Sequence, residues 1–300
     1  DVVAANRFQQ KLWSIVRFCM PHLEGFQPGR VQYRTIDRWL LSKLNTLIRE
    51  TTASMDAYQF DETLKNIRGF AWDTLADNYI ELVKSRLYGD DAKAKQAAQQ
   101  TLYLTVDSLS RMLGPFIPYF AEEVFSQLHD HSVHTDTWPV VDESAIDAAV
   151  ESSGDLVKEI TAAIRRFKSD NGMALNAPLG RIRIYGSIQD VADIAGTVNA
   201  EIDVMAGEPE FEYRVSSVKP HMGVIGPRFR DRAGAIIGAL KRADAATIAE
   251  QAVAGAISIE AGGETIRLEP DSVAFEREIL SEGHAVDVLE VEDVMVVIGK

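Results

Sequence analysis

The chain is 300 residues long, 46% apolar and 8% aromatic, enough for about two folded domains and too apolar for a disordered chain. Its formal net charge of −14 argues against generic nucleic-acid binding, because affinity for phosphate comes largely from counterion release by Lys and Arg. No apolar run reaches the roughly 18–20 residues of a membrane span, and a single cysteine, Cys19, excludes an internal disulfide and a thiolate-rich zinc site.

The charge is uneven. Residues 1–144 hold 15 Lys and Arg against 19 Asp and Glu, and residues 145–300 hold 16 against 26. Any RNA-binding surface is therefore local and expected in the first half. Asp1-Val2-Val3 has neither the basic nor the apolar region of a signal peptide, and the missing initial Met suggests an excised piece of a longer protein. Cys19 falls in register with Phe8, Leu12 and Ile15 and reads as a small core residue in a reducing cytoplasm.

Taken in order, residues 4–20 read as a helix with Phe8, Leu12, Ile15 or Val16, and Cys19 inward, stopped by Pro21. Residues 24–34 are a loop broken by Gly25, Pro28 and Gly29. A second helix runs from Asp37, placed as its N-cap, to about Ala53. Leu40, Leu44 and Leu47 form its buried stripe, and Arg38, Lys43 and Arg49 project away from it. A long third helix covers Phe60 to about Leu87, a fourth about Lys93 to Leu113, and a fifth Tyr119 to Leu128. Short connections make this an antiparallel all-α bundle.

After about Asp142 the pattern changes. Asp155 to Asp170 reads as helix, Arg181 to Tyr185 alternates as a strand, Asp190 to Val198 reads as helix, and Phe211 to Val215 alternates again. Asp231 to Arg242 is helical. Ile257–Ile259 and Thr265–Leu268 flank Gly262-Gly263 as a hairpin, and two or three further strands fit within 273–298. The expected architecture is an all-α bundle over residues 1–144, then a small α/β (α+β) domain over 145–300 with a mixed or antiparallel sheet.

No glycine-rich phosphate loop, serine nucleophile elbow or His-Glu-x-x-His occurs. His129, His131 and His134 beside Asp130 and Asp136 have donor chemistry for a metal, but their spacing favours a solvated loop. Lys11, Trp13 and Arg17 lie on the first helix away from its core stripe, and Arg34, Arg38, Trp39 and Lys43 lie at the start of the second. Neighbouring helices would merge them into one cationic, aromatic face able to stack splayed RNA bases and hold phosphates. Both tryptophans equally suit a core, with the cations merely solvated. Arg165-Arg166-Phe167-Lys168 and the Arg228–Arg232 run leave the same choice, with surface cations favoured.

Arg7-Phe8-Gln9-Gln10-Lys11-Leu12-Trp13, then Arg17-Phe18 and Asp37 through Leu44, are similar to the region that follows the catalytic domain in class I valyl-tRNA synthetases. The likeness continues through Tyr58 to Glu62, Tyr79 to Lys84, Leu113 to Glu123, and Trp138-Pro139, which covers residues 1–140. Ile164-Arg165-Arg166 and Gly172 to Leu179 resemble the segment after the bundle, and Val218-Lys219-Pro220 with Ile225 to Phe229 resembles the C-terminal domain of archaeal-type members. Isoleucyl and leucyl enzymes share much of this.

The resemblance implies an anticodon-binding bundle and a C-terminal α/β appendage. It also implies a longer ligase in which ATP, with magnesium, activates valine in a catalytic domain whose signatures are missing here. This part would carry no cofactor and no activity of its own. The partner implied is the anticodon stem-loop of the valine tRNA, with no membrane and a monomeric chain. Lys11 and Arg17 are then expected on phosphates or base edges, Arg38 as the recognition cation, and Trp13 or Trp39 as the stacking platform. The alternative is a protein-interaction scaffold, marked by an exposed apolar patch in place of gathered cations.

Overall fold

The computed structural model describes residues 2–188 and 190–300; Asp1, part of the N-terminal reading, lies outside them. The chain divides into two compact units. One runs up to Arg181 and adds Ser187–Val204 and Val291–Val294. The other comprises Ile182–Gly186, Met205–Glu290 and Met295–Lys300.

The first unit is the helical bundle. Its helices are α1 (Val2–Leu23), α2 (Thr35–Asp56), α3 (Phe60–Gly69), α4 (Ile80–Tyr88), α5 (Ala92–Leu113), α6 (Pro118–Phe125), α7 (Ala148–Asp170) and α8 (Ala192–Val198). Residues Phe70–Tyr79 join α3 to α4 as π-helix, so 60–88 is one continuous rod, as the apolar spacing predicts. The inward stripes fall where expected: Leu12, Ile15 and Cys19 on α1, Leu40 and Leu44 on α2, Leu75, Tyr79 and Leu82 along the rod, Leu102 and Val106 on α5. Burial pushes the Cys19 thiol up to about 12, which leaves it an inert core group.

Three local readings change. α1 continues past Pro21 to Leu23, because a proline in the last turn disrupts little beyond its own N–H. The N-cap of α2 is Arg34, and Asp37 sits one turn inside, fully buried. There its carboxylate accepts from the Arg34 N–H at 2.9 Å, the Tyr79 hydroxyl at 2.7 Å and both Arg86 Nη atoms at 2.8 and 2.7 Å. A buried carboxylate is tolerated because its lone pairs are all engaged by donors, two of them from a guanidinium. Finally, α7 starts at Ala148 on an Asp147 cap and packs on α2, so the first compact unit reaches well past residue 144.

Lys168, near the end of α7, is also buried, not a surface cation. Its ammonium donates to the carbonyls of Leu175, Ala177 and Val198, which ties the segment after α7 to the end of α8.

The second unit carries the strands β1 (Arg181–Tyr185), β3 (Glu212–Pro220), β6 (Val273–Ser281), β7 (His284–Val291) and β8 (Val294–Gly299) in the order β1–β8–β7–β6–β3; β2 (Glu201–Met205) belongs mostly to the first unit. The pairs β1–β8, β3–β6 and β6–β7 are antiparallel. β4 (Ile257–Ala261) and β5 (Glu264–Leu268) form a separate hairpin, with Gly262 and Gly263 at φ +65° and +83° in its turn. Helices α9 (Met222–Phe229), α10 (Ala233–Arg242) and α11 (Ala245–Val253) pack through Ile225, Ile236, Leu240 and Ile248 onto Val218, Ile257 and Leu268. The expected bundle followed by an α+β domain is therefore what the chain forms.

Candidate nucleic-acid interface

The predicted cationic face of α2 is covered from within. On α7 the carboxylates Asp147, Glu151 and Asp155 repeat every four residues and line one helical edge. Lys43 lies between Glu151 (3.0 Å) and Asp155 (3.2 Å). Burial pulls its ammonium down, but the two carboxylates outweigh this and raise it above the ordinary lysine value. Arg38 faces Asp147 at 3.4 Å and stays half exposed. Arg49 pairs with Glu143 at 3.3 Å. Arg34 reaches Asp193 at 2.8 Å and Asp91 at 3.7 Å.

Trp39 is only 2% exposed, and its indole N–H donates to Asp155 at 3.1 Å. It belongs to the α2–α7 core and cannot stack a base, which corrects its reading as a platform. Gly154 makes this packing possible: a Cβ there would lie 2.3 Å from the Trp39 ring.

On α1, Lys11 is held by Asp77 at 2.6 Å and lies 5.2 Å from the Trp72 ring centroid. Trp13 is 38% exposed and meets Phe120 edge-on at 4.9 Å. Among the described residues Arg17 bonds only the Trp13 carbonyl, at 3.3 Å, and makes no ion pair. Among the described residues no hydrogen bond, ion pair or ring contact joins the α1 set to the α2 set, so they do not form the single face that the sequence suggests.

A better candidate lies where α1 ends, α4 ends and α5 begins. Phe18, His22 and Tyr88 form a tier of rings, with centroids 5.2 Å apart for Phe18–His22 and 4.9 Å for His22–Tyr88. Tyr88 is 70% exposed. The Lys84 ammonium lies 5.9 Å from the Phe18 centroid. Partial burial and the nearby Lys95 charge both lower the His22 imidazole, so it is neutral at pH 7 and stacks as an uncharged ring. The Gln99 side chain donates to the His22 carbonyl and fixes this corner to α5. Beside the tier, Met20, Leu23, Gly25, Phe26 and Tyr103 line a cleft of about 590 Å³. Arg30, Lys93 and Lys95 make no ion pair among the described residues.

Sequence reading missed these groups because their rings come from two helices far apart in the chain and because Tyr88-Gly89-Asp90-Asp91 reads only as a turn. The signal was there in an exposed aromatic at a turn, followed by Lys93 and Lys95 on the first turn of α5. The arrangement supplies stacking faces with unpaired cations at their rim, which suits unpaired bases and their phosphates.

In the histidine loop, His129 and His131 are engaged by neighbouring side chains. His129 stacks on Phe125 at 4.2 Å and bonds Asp107 at 2.6 Å, while His131 bonds Asp136 at 2.9 Å. Among the described residues no group of His, Cys, Asp and Glu side chains is placed to hold an ion. Nor is any helix among them long and apolar enough to cross a membrane.

The sequence profile of the anticodon-binding domain of tRNA ligase matches residues 37–184. Residues 37–184 belong to this family. The match starts inside α2 and ends in β1, so it takes in α7 and α8 as well as most of the bundle. Beyond the anticodon-binding domain, the similarity covers nearly the whole chain. It is 53% identical to a valine–tRNA ligase of Methanosarcina acetivorans and 54% to one of Methanosarcina barkeri, each over 99% of this chain and 35% of the relative. A valine–tRNA ligase of Methanothrix thermoacetophila is 46% identical over 97% of this chain and 33% of the relative. The chain thus spans about a third of the length of the curated relatives it matches.

Proposed function

We propose that this chain is the tRNA-holding part of a valine–tRNA ligase, and that its bundle receives the anticodon region of the valine tRNA at the Phe18–His22–Tyr88 corner. The observation that carries this reading is the exposed Tyr88 on a ring tier with Lys95 near its His22, in a chain whose residues 37–184 match an anticodon-binding domain. Many other cations of the bundle are neutralised by carboxylates, which leaves Lys93 and Lys95 among its unpaired cations. Of the residues singled out from sequence, Arg17 and Arg38 are exposed enough to reach phosphates, and Trp13 offers one ring edge. Lys11, Arg34 and Lys43 are tied by carboxylates and act as structural cations.

The bundle's part in the reaction is positional. Binding energy released at the anticodon orients a distant acceptor end for chemistry done elsewhere in the longer protein. ATP and magnesium belong to that catalytic part; the side chains described here offer no grouping for the ion. The isolated chain is expected to hold tRNA without charging it, as a monomer in the cytoplasm.

Tyr88→Ala is expected to weaken binding of the chain to valine tRNA by about 1–3 kcal/mol, the worth of one stacked base. Lys95→Ala is expected to weaken it less and to flatten its salt dependence. The test is filter binding with transcribed valine tRNA. Unchanged affinity in both variants, with melting temperatures intact, would place the RNA elsewhere.

A further inference from the structure

The second unit is acidic, yet one of its layers is not. Between Pro220 and Ala243 five cations, Arg228, Arg230, Arg232, Lys241 and Arg242, stand against one carboxylate, Asp231. Two of them are spoken for: Arg228 by Glu269 and Arg232 by Glu264, each at 2.8 Å. Arg230, Lys241 and Arg242 are exposed and make no ion pair among the described residues, although the surrounding sequence supplies a surplus of carboxylates. Elsewhere in this unit Arg183, Arg214, Lys219 and Lys300 are each matched to an acidic side chain, while Arg267 and Arg277 make no ion pair among the described residues. Three of the five unmatched cations of this unit thus lie on or beside one helix, a local positive charge on an acidic body.

Their placement supports this. α10 buries Ile236, Ala239 and Leu240, which turns the opposite edge outward. On that edge Gly234, Ala235 and Gly238 run from Arg230 at the amino end to Lys241 and Arg242 at the carboxyl end. Gly234 has nothing within 4 Å of its Cβ position, so a backbone can approach the helix closely there. The free cations are roughly 15–20 Å apart along the helix at its usual rise. A duplex of that length carries on the order of ten phosphate charges. Arg230 is moreover held at φ 42° and ψ −111°, a conformation strained for any residue with a side chain, at the junction of α9 and α10.

We propose that the outer edge of α10, with Arg230, Lys241 and Arg242, is a second RNA-backbone surface that holds a double-helical stem of the same tRNA through its phosphates. The proposal rests on the reading of the chain as a tRNA binder, but it concerns different residues in a different unit. The surface has no exposed aromatic platform among these residues, so its preference is for stem backbone and not for unpaired bases.

The test compares the intact chain with its Arg230→Glu/Lys241→Glu/Arg242→Glu variant, titrated with valine tRNA at several salt concentrations. The three side chains are exposed, so the variant is expected to keep its melting temperature. Loss of three phosphate contacts predicts affinity lowered by at least about tenfold near 50 mM salt, and a log–log salt slope reduced by about 2–3. The ratio of affinities for native and anticodon-altered tRNA is expected to stay unchanged. Unchanged affinity and slope in the variant, with anticodon discrimination intact, would overturn this proposal and leave the anticodon reading standing. An equal drop for a DNA duplex of matching length would reduce the patch to a general polyanion surface and also overturn it. A wild-type chain that binds no tRNA at low salt would overturn both readings.

Discussion

Asp193 is an unusual carboxylate. It is buried between Arg34 and Arg86, yet one carboxylate oxygen accepts no hydrogen bond. Burial raises its carboxyl to about 6; Arg86 and Arg34 pull it down, while Asp37 and Asp190 add repulsion. A carboxyl that holds its proton more tightly when folded stabilises the fold most below the unfolded value near 4. That contribution fades as pH rises through about 6. Asparagine imitates the protonated form at every pH. Asp193→Asn is therefore expected to gain stability relative to the wild type as pH goes from 4 to 7, with the difference levelling off above. Thermal melts across that range check it, and a difference that does not change with pH would refute the assignment. Asp193 does not stand out in the sequence, because its meaning depends on α8 meeting α2 and α4, which lie more than a hundred residues earlier. Asp37 was visible as important, but for the wrong reason: a short acceptor near a helix start reads as a cap, while here it is the buried partner of Arg86.

At the scale of elements, the long helices were legible because a 3.6-residue apolar stripe buries one face whatever the partner is. The hairpin at Gly262-Gly263 was legible from its turn chemistry. α9 and α11 were missed: the first is short and interrupted by Pro227, and the second is alanine-rich with little contrast between its faces. What sequence could not show is that α2 is covered on a second side. Periodicity marks the Leu40–Leu44–Leu47 stripe but is silent about a later helix landing on Trp39 and Lys43. Two signals in α7 were readable together: carboxylates at Asp147, Glu151 and Asp155, matched in spacing to the cations of α2, and a glycine among them. Gly154→Ala isolates this contact. Alanine improves helix propensity by roughly 0.5–1 kcal/mol. The added methyl meets the Trp39 ring at 2.3 Å, and such overpacking typically costs about 1–3 kcal/mol. The clash prevails, so urea denaturation is expected to show a net loss of about 1–2 kcal/mol. A net gain would mean that α7 does not press on Trp39.

For the molecule as a whole, charge decides where RNA can go. A chain with net charge −14 repels a polyanion on average, so its binding has to be local. The structure sharpens this, since internal carboxylates consume most of the cations that the sequence offers as RNA contacts. Among the described residues the unpaired ones include a group at the start of α5 and another along the outer edge of α10. The family was legible early because motifs strung along the whole chain each carry local packing needs. The contact residues were not, because whether a cation is free depends on its neighbours in space. The most direct measurement is the affinity of the wild-type chain for transcribed valine tRNA and for the same tRNA with an altered anticodon, each at low and moderate salt. Tighter binding of the native transcript, a preference that survives the rise in salt while both affinities fall, is the predicted result. Equal affinity for both transcripts at both salt concentrations would contradict the proposed role of the bundle as reader of the anticodon.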